Sequence, residues 1–272
     1  MLWFLGATAI GEVRVGGDVE LEAGFETEAD ADAAAVEVVA HFPHAAVRVV
    51  DVGPALDAAL DAWKAHARPV RAGRLHVRPP WLAADDDPPH ADEVAVVLDP
   101  GRAFGSGSHP TTHACLAAVD RWAGPGTSVL DVGCGSGVLA VAAARLGAAP
   151  VVAVDVDPTA VSATLDNAAA NAVGVEASVA PVGEVRGRFD LVLANIGAAT
   201  LRTIAPDLSD RVAPGGHLVL SGLLASQADA VVAAFPTFAE VDRTAGEWCT
   251  VVLSAQRGRS GPGEGGAGYL RR

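Results

Sequence analysis

Three glycines at alternate positions, Gly133, Gly135 and Gly137, lie in the run Val129-Leu-Asp-Val-Gly-Cys-Gly-Ser-Gly137, and a carboxylate, Asp155, follows eighteen residues after the last of them. That spacing suits a site for an adenosine-bearing cofactor. Glycines permit a tight turn and a close approach of backbone to ligand, because no Cβ intervenes. Asp155 ends a second apolar run, where a carboxylate can accept both hydroxyls of a ribose. For these groups to meet, Val129–Val132 must be a short buried strand, 138–146 the helix after the turn, and Val151–Asp155 the next strand. The pattern departs from the dinucleotide fingerprint G-x-G-x-x-G, whose third glycine would stand at Val138. The plain alternative is a tight strand-to-helix turn with no ligand.

A second constellation precedes the first. Leu98-Asp-Pro-Gly-Arg-Ala-Phe-Gly-Ser-Gly-Ser-His-Pro-Thr-Thr112 is rich in glycine and hydroxyls and leads into a helix at about Thr111. Free N–H groups and hydroxyls at a helix start can hold a carboxylate, which places Thr112 at the amino-acid end of a cofactor. Ser108 and Thr111 are also ordinary helix-capping types. His109 and His113 have the i, i+4 spacing of a metal pair, but no glutamate between them and no third ligand. A general-base role for His109 competes with structural hydrogen bonding at a helix start. Asp85-Asp86-Asp87-Pro-Pro reads as a solvated loop rather than a cation site.

The elements that position these residues alternate strand and helix from Val151 onward, which predicts an α/β fold with a mostly parallel sheet covered on both faces. Strands are expected at 151–155, 177–180, 189–194, 216–221, 238–244 and 248–254; with 129–132 they make seven. Helices are expected at 160–171 and 199–212, the second ended by a turn at Pro214-Gly215-Gly216. The last two strands lack an intervening helix and predict a hairpin with one antiparallel strand. Residues 1–60 read as a small α+β domain, with strand pieces at 13–15 and 19–21, a helix over 30–42 and a strand over 46–52. A connecting helix at 57–66 leads into a linker, residues 61–90, which includes an extended Arg- and Pro-rich stretch at 68–81. The cofactor domain spans 91–255. Residues 256–272, dominated by glycine, cannot bury enough side chain to offset ordering entropy and read as a disordered tail, RNA contact by its arginines being a minor alternative.

Composition bounds the function. With 272 residues, half of them hydrophobic, the chain can bury a full core. Three widely spaced cysteines without a C-x-x-C pair argue against a disulfide framework or zinc site and favour a reducing, cytoplasmic setting. Met1-Leu-Trp-Phe-Leu5 lacks a basic start and meets Glu12 early, so it reads as a first strand rather than a signal peptide. No apolar stretch is long enough to predict a membrane span. A formal charge of −14 argues against a broad grip on nucleic acid and suits a basic protein partner.

Taken together, Asp61-Ala-Trp-Lys64, Arg78-Pro-Pro-Trp81, the 98–112 loop, Asp131-Val-Gly-Cys-Gly-Ser-Gly137, Asp155-Val-Asp-Pro158, Ala194-Asn-Ile196 and Leu220-Ser-Gly-Leu-Leu-Ala-Ser-Gln227 resemble the PrmA family, methyltransferases of ribosomal large-subunit protein eleven. The resemblance covers about residues 61–254 and implies a Rossmann-like class I methyltransferase fold: a doubly wound, seven-stranded sheet with a small N-terminal α+β domain for substrate recognition. It implies S-adenosylmethionine as cofactor and transfer of methyl groups to lysine ε-amines and the N-terminal α-amine of a basic ribosomal protein. By motif position it assigns Thr112, Gly133, Gly135, Asp155 and Asn195 to the cofactor, with Phe104 and Asn195 facing the transferred methyl and the target amine. Gly105-Ser-Gly-Ser108 stands where the family usually has Gly-Thr-Gly-Thr, which keeps the hydroxyls. The run Asn195-Ile-Gly-Ala departs from the Asn-Pro-Pro-Tyr of enzymes acting on planar nitrogens and favours a flexible aliphatic amine. The alternatives are a methyltransferase for another protein lysine or a small amine, a dinucleotide-dependent oxidoreductase, and a non-catalytic binding module.

Overall fold

The computed structural model describes residues 9–15, 18–24, 28–42, 44–49, 64, 67–82, 87–99, 107, 109–244 and 246–256. The chain divides into two compact units, Met1–His66 and Ala67–Arg272. In the first, β1 (Ala9–Val15) pairs antiparallel with β2 (Asp18–Gly24), and α1 (Glu28–His41) follows. Residues 46–49, expected to begin a strand, form none. The segments read as a first strand at Met1–Leu5, as a helix over 57–66 apart from Lys64, and as a tail over 257–272 lie outside the described residues.

The second unit begins inside the expected linker. β3 (Val70–Ala72) and β4 (Leu75–Arg78) form a hairpin, and β5 (Val94–Val97) joins β4 in parallel to give a three-stranded sheet. α2 (Pro110–Trp122) then leads to a seven-stranded sheet ordered β11-β12-β10-β9-β6-β7-β8. Its strands are β6 (Val129–Val132), β7 (Val151–Val154), β8 (Glu176–Ser178), β9 (Phe189–Asn195), β10 (Val212–Leu224), β11 (Phe238–Arg243) and β12 (Trp248–Ala255). All neighbouring pairs from β10 to β8 are parallel, and β12 runs antiparallel between β10 and β11. This is the doubly wound α/β sheet expected, with the terminal hairpin in place.

Alternation along the central strands builds two cores. Val129, Leu191, Leu193 and Val219 pack on one face with Leu116, Val119, Leu139 and Val141 from α2 and α3 (Val138–Arg145). Leu130, Val192, Leu218 and Leu220 point to the other face, against Leu201, Leu208 and Val231 from α5 (Ala198–Thr203), α6 (Ala205–Arg211) and α7 (Ala225–Val232). The period of two therefore places successive side chains in separate apolar layers. The helix expected over 199–212 is broken at Ile204. Pro206 lacks the N–H that a continuous helix needs, and its ring would press on the carbonyl of Arg202, so it sits in the first turn of a new helix. Pro214-Gly-Gly216, expected as a turn before a strand, is an irregularity inside β10, where pairing with β9 shifts between Val212 and His217.

Candidate active site

The order of the strands reverses between β6 and β9, and ligands in such sheets bind at the carboxyl ends of the strands flanking that crevice. The glycine turn and the Thr112 end of the second constellation meet there. β6 runs into the glycine turn and then α3; β9 ends at Asn195. Gly133, Gly135 and Gly137 all have positive φ, at 77°, 54° and 78°. The three glycines in this nine-residue run are therefore demanded by backbone conformation.

Their N–H groups are already committed. Gly133 donates to the Val154 carbonyl (2.8 Å), Gly135 to Asp155 Oδ2 (2.9 Å), and Gly137 to the Cys134 carbonyl (2.8 Å). The space a side chain would need is filled as well: a Cβ at Gly133 would overlap the Cγ2 methyl of Ile196, and one at Gly137 would lie 2.8 Å from Thr164 Cα. The turn is thus held from within at these positions. Asp155 follows β7 and also accepts from the Asp157 N–H through Oδ1 (3.1 Å). A carboxylate can accept about four hydrogen bonds, so this half-buried group keeps capacity for a diol.

On the other side of the crevice, Thr112 is buried in the first turn of α2, and its Oγ1 accepts from Asn195 Nδ2 at 3.4 Å. Asn195 Oδ1 is buried without a partner. An orphaned amide oxygen at a strand end, in the crevice, is an acceptor suited to an amine or a hydroxyl. Ile196 links the two halves, because it follows Asn195 and packs its methyl against Gly133. These residues fit an adenosine-bearing cofactor with a free amino-acid end: a diol acceptor at Asp155, a hydroxyl and an amide at Thr112 and Asn195. Phe104 lies outside the described residues, as do Gly105, Ser106 and Ser108.

His109 caps α2: its Nδ1 meets Thr111 Oγ1 at 2.7 Å, and its ring meets Trp248 edge-on with centroids 5.0 Å apart. His113 spends its Nε2 on the Arg71 carbonyl (2.9 Å), tying α2 to β3. Among the described residues no group of three or more His, Cys, Asp and Glu could hold a metal ion, and no helix is long and apolar enough to cross a membrane. Asp87, read as part of a solvated loop, instead receives both terminal nitrogens of Arg71 at 2.9 and 2.7 Å, while Arg71 Nε reaches Glu93. Arg71, followed by the His76 ring, holds the Asp87 carboxyl down to about 2.

Two further features were not expected from the sequence. Asp131, on β6, is buried, with Oδ2 accepting from the Ala140 N–H (3.2 Å) and Oδ1 unpaired. Burial, with a contribution from the Asp155 charge, pushes its pKa up to about 7. The second is a polar stripe on α4 (Pro158–Ala170), which reads from sequence as apolar: Thr164 and Asn167 are buried among Ala160 and Ala168, and Asn171 continues the stripe at the C-cap. Thr164 Oγ1 lies 3.2 Å from both Cys134 Sγ and the Gly135 carbonyl, and Asn167 Nδ2 donates to the Ser136 carbonyl (2.9 Å). The signal was the i, i+3, i+7 spacing of Thr164, Asn167 and Asn171, which puts them on one face of an alanine-rich helix.

A family model described as ribosomal protein L11 methyltransferase (PrmA) matches residues 7–256. Proteins of that description from Bordetella parapertussis and Geobacter metallireducens are 51% identical over 170 residues and 43% identical over 198. Those alignments cover 60% and 71% of this chain but only 54% and 64% of the relatives, so the matched region spans little more than half of the first. A relative from Erwinia tasmaniensis is 38% identical over 251 residues, covering 89% of this chain and 83% of its own length. The crystal structure of a ribosomal protein L11 methylase from Lactobacillus delbrueckii subsp. bulgaricus superposes with a TM-score of 0.64 at 31% identity, covering 70% of this chain and 100% of that one.

Proposed function

The chain belongs to the PrmA family of ribosomal protein L11 methyltransferases, and from that premise we propose that it transfers methyl groups from S-adenosylmethionine to lysine ε-amines and the N-terminal α-amine of ribosomal protein L11. The observation that carries the reading is the meeting, at one crevice, of the glycine turn braced by Asp155 with the Thr112–Asn195 pair. When bound, the cofactor supplies an activated methyl group on a positively charged sulfur, so the protein's task is alignment and exclusion of water.

Each residue then has a defined part. Asp155 accepts the ribose hydroxyls while its remaining bonds to Gly135 and Asp157 hold it in place. Thr112 binds the amino-acid end. Asn195 Oδ1, otherwise unpartnered, accepts from the neutral target amine and orients its lone pair, but an amide oxygen does not take the proton. A free lysine, with a pKa of about 10.4, must shed that proton first, and desolvation beside a cationic sulfur favours the loss. By motif position Phe104 is assigned to the methyl and the amine. The net charge of −14 suits a basic protein partner and disfavours nucleic acid, and the reading places the enzyme in the cytoplasm. The first unit selects the target protein.

Titration of the purified protein with S-adenosylhomocysteine and with NAD tests the cofactor; binding of NAD alone refutes it. Incubation with labelled cofactor and a ribosomal-protein mixture, read by mass spectrometry, tests the target: label on L11 lysines and its N-terminus is expected, and label on another protein refutes the substrate. A chain starting at Ala67 should bind S-adenosylhomocysteine like the full chain yet fail to modify intact L11; full activity would remove target selection from residues 1–66.

A further inference from the structure

β5 is an edge strand whose free edge is covered by side-chain amides. The N–H groups of Val94 and Leu98 donate to the Arg74 and Arg78 carbonyls beside β4, so the odd-numbered residues present their backbone groups to the other side. There Arg145 Nε takes the Ala95 carbonyl (3.0 Å). Asn171 clasps Val97 at both groups: Val97 N–H to Oδ1 (2.8 Å) and Nδ2 to the Val97 carbonyl (2.6 Å). Asn167 clasps Asp99 in the same way, at 2.9 and 2.8 Å. The match is geometric: one i to i+4 step rises about 6 Å along a helix, and one i to i+2 step spans about 6.6 Å along a strand. A pair of asparagines four apart thus imitates a partner strand.

The two asparagines differ in their remaining hydrogen. Asn171 gives it to the Asn167 carbonyl within α4 (2.7 Å). Asn167 gives it to Ser136, in the glycine turn (2.9 Å). One buried amide therefore joins the turn to the backbone that runs, directly after Asp99, into the Pro100–Ser108 segment carrying Phe104. We propose that Asn167 is a positioning residue for the reaction, coupling the glycine turn to the backbone at Asp99 so that occupancy of the cofactor site is felt at the start of that segment. Asn171 shares the burial, the helix and the two-point contact, and lacks the link to the turn.

The inference rests on the cofactor reading above. Full-length Asn167→Ala and Asn171→Ala are compared with the unaltered protein by thermal unfolding and by calorimetric titration with S-adenosylhomocysteine. Both variants should unfold at lower temperature. Only Asn167→Ala should also lose affinity, by about tenfold or more, with Asn171→Ala within about twofold of the parent. Equal affinities in the two variants overturn the proposal. Should Asn167→Ala fail to fold, amide exchange in the unaltered protein decides: S-adenosylhomocysteine should slow exchange at the Asp99 N–H, and protection confined to residues 133–137 overturns the coupling. Failure of the unaltered protein to bind S-adenosylhomocysteine defeats the cofactor reading and this inference together, whereas normal binding with indistinguishable variants defeats this inference alone.

Discussion

Replacing Asp155 separates its two duties. The carboxylate braces the turn through Gly135 and caps its own turn through Asp157, at 2.9 and 3.1 Å. In the proposed complex it also receives a diol. A hydrogen bond to a charged acceptor contributes roughly 1.5–3 kcal/mol. Because Asp155 is half-exposed, solvent screening discounts the two backbone bonds to about 0.5–1 kcal/mol each, and Asp155→Ala should lower the unfolding free energy by about 1–2 kcal/mol. Loss of the diol contact, about 1.5–3 kcal/mol, should weaken S-adenosylhomocysteine by roughly tenfold to 150-fold. Asp155→Asn keeps the shape, but its NH2 must face one of the two backbone N–H groups, so it should fall between the parent and the alanine variant in both measurements. The assays are urea unfolding and calorimetric titration at the same pH and salt. A folded Asp155→Ala that binds S-adenosylhomocysteine as tightly as the parent refutes the role given to this carboxylate.

Gly133→Ala combines a left-handed φ, costing about 1–2 kcal/mol, with overlap on Ile196, costing about 1–3 kcal/mol; adding Ile196→Ala should recover the second part only, and strictly additive unfolding energies would contradict the packing argument. Asp131 binds a proton more tightly folded, at about 7, than unfolded, so the native state holds the extra proton between about pH 4 and 7 and stability should decline as pH rises through that window. In thermal unfolding, Asp131→Asn should abolish this decline, leaving between pH 5 and about 8 the opposite, rising contribution of His217, whose imidazole pKa is lowered by burial and by Arg121. Ser221 and Thr250 share a buried 2.6 Å hydrogen bond, so Ser221→Ala should cost about 1–3 kcal/mol in urea unfolding and Ser221→Ala with Thr250→Val distinctly less; equal losses would show that the stranded hydroxyl carries no penalty.

The centre of the site was legible because its signals are local. Val129–Val132, the three glycines, the following helix and Asp155 are all set by short-range periodicity and by φ, and they fall within one βαβ unit. Asn195 and Thr112 were placed by motif, and the sheet order brings them together across 83 residues. What was missed depends on distant partners. The Arg-rich stretch at 68–81 reads as extended; in the structure β3 and β4 pair with each other, β5 joins β4 from sixteen residues on, and Glu93 and Asp87 neutralise Arg71. Asp87 looked solvated because its cation stands sixteen residues earlier. The stripe on α4 looked apolar because alanines dominate it, and its polar members are explained only by carbonyls at 97, 99, 135 and 136 that no local window contains. Ile204 ended a helix that periodicity alone would have continued, since the hydrophobic spacing is blind to the missing proline N–H.

Cys134, between the first two glycines of the turn, has its thiol pushed up to about 12, mainly by burial and then by the Asp131 charge. Thiolates, not thiols, attack alkylating centres. In the proposed complex, a sulfur held in this turn as a buried thiol is a poor nucleophile toward an activated methyl group.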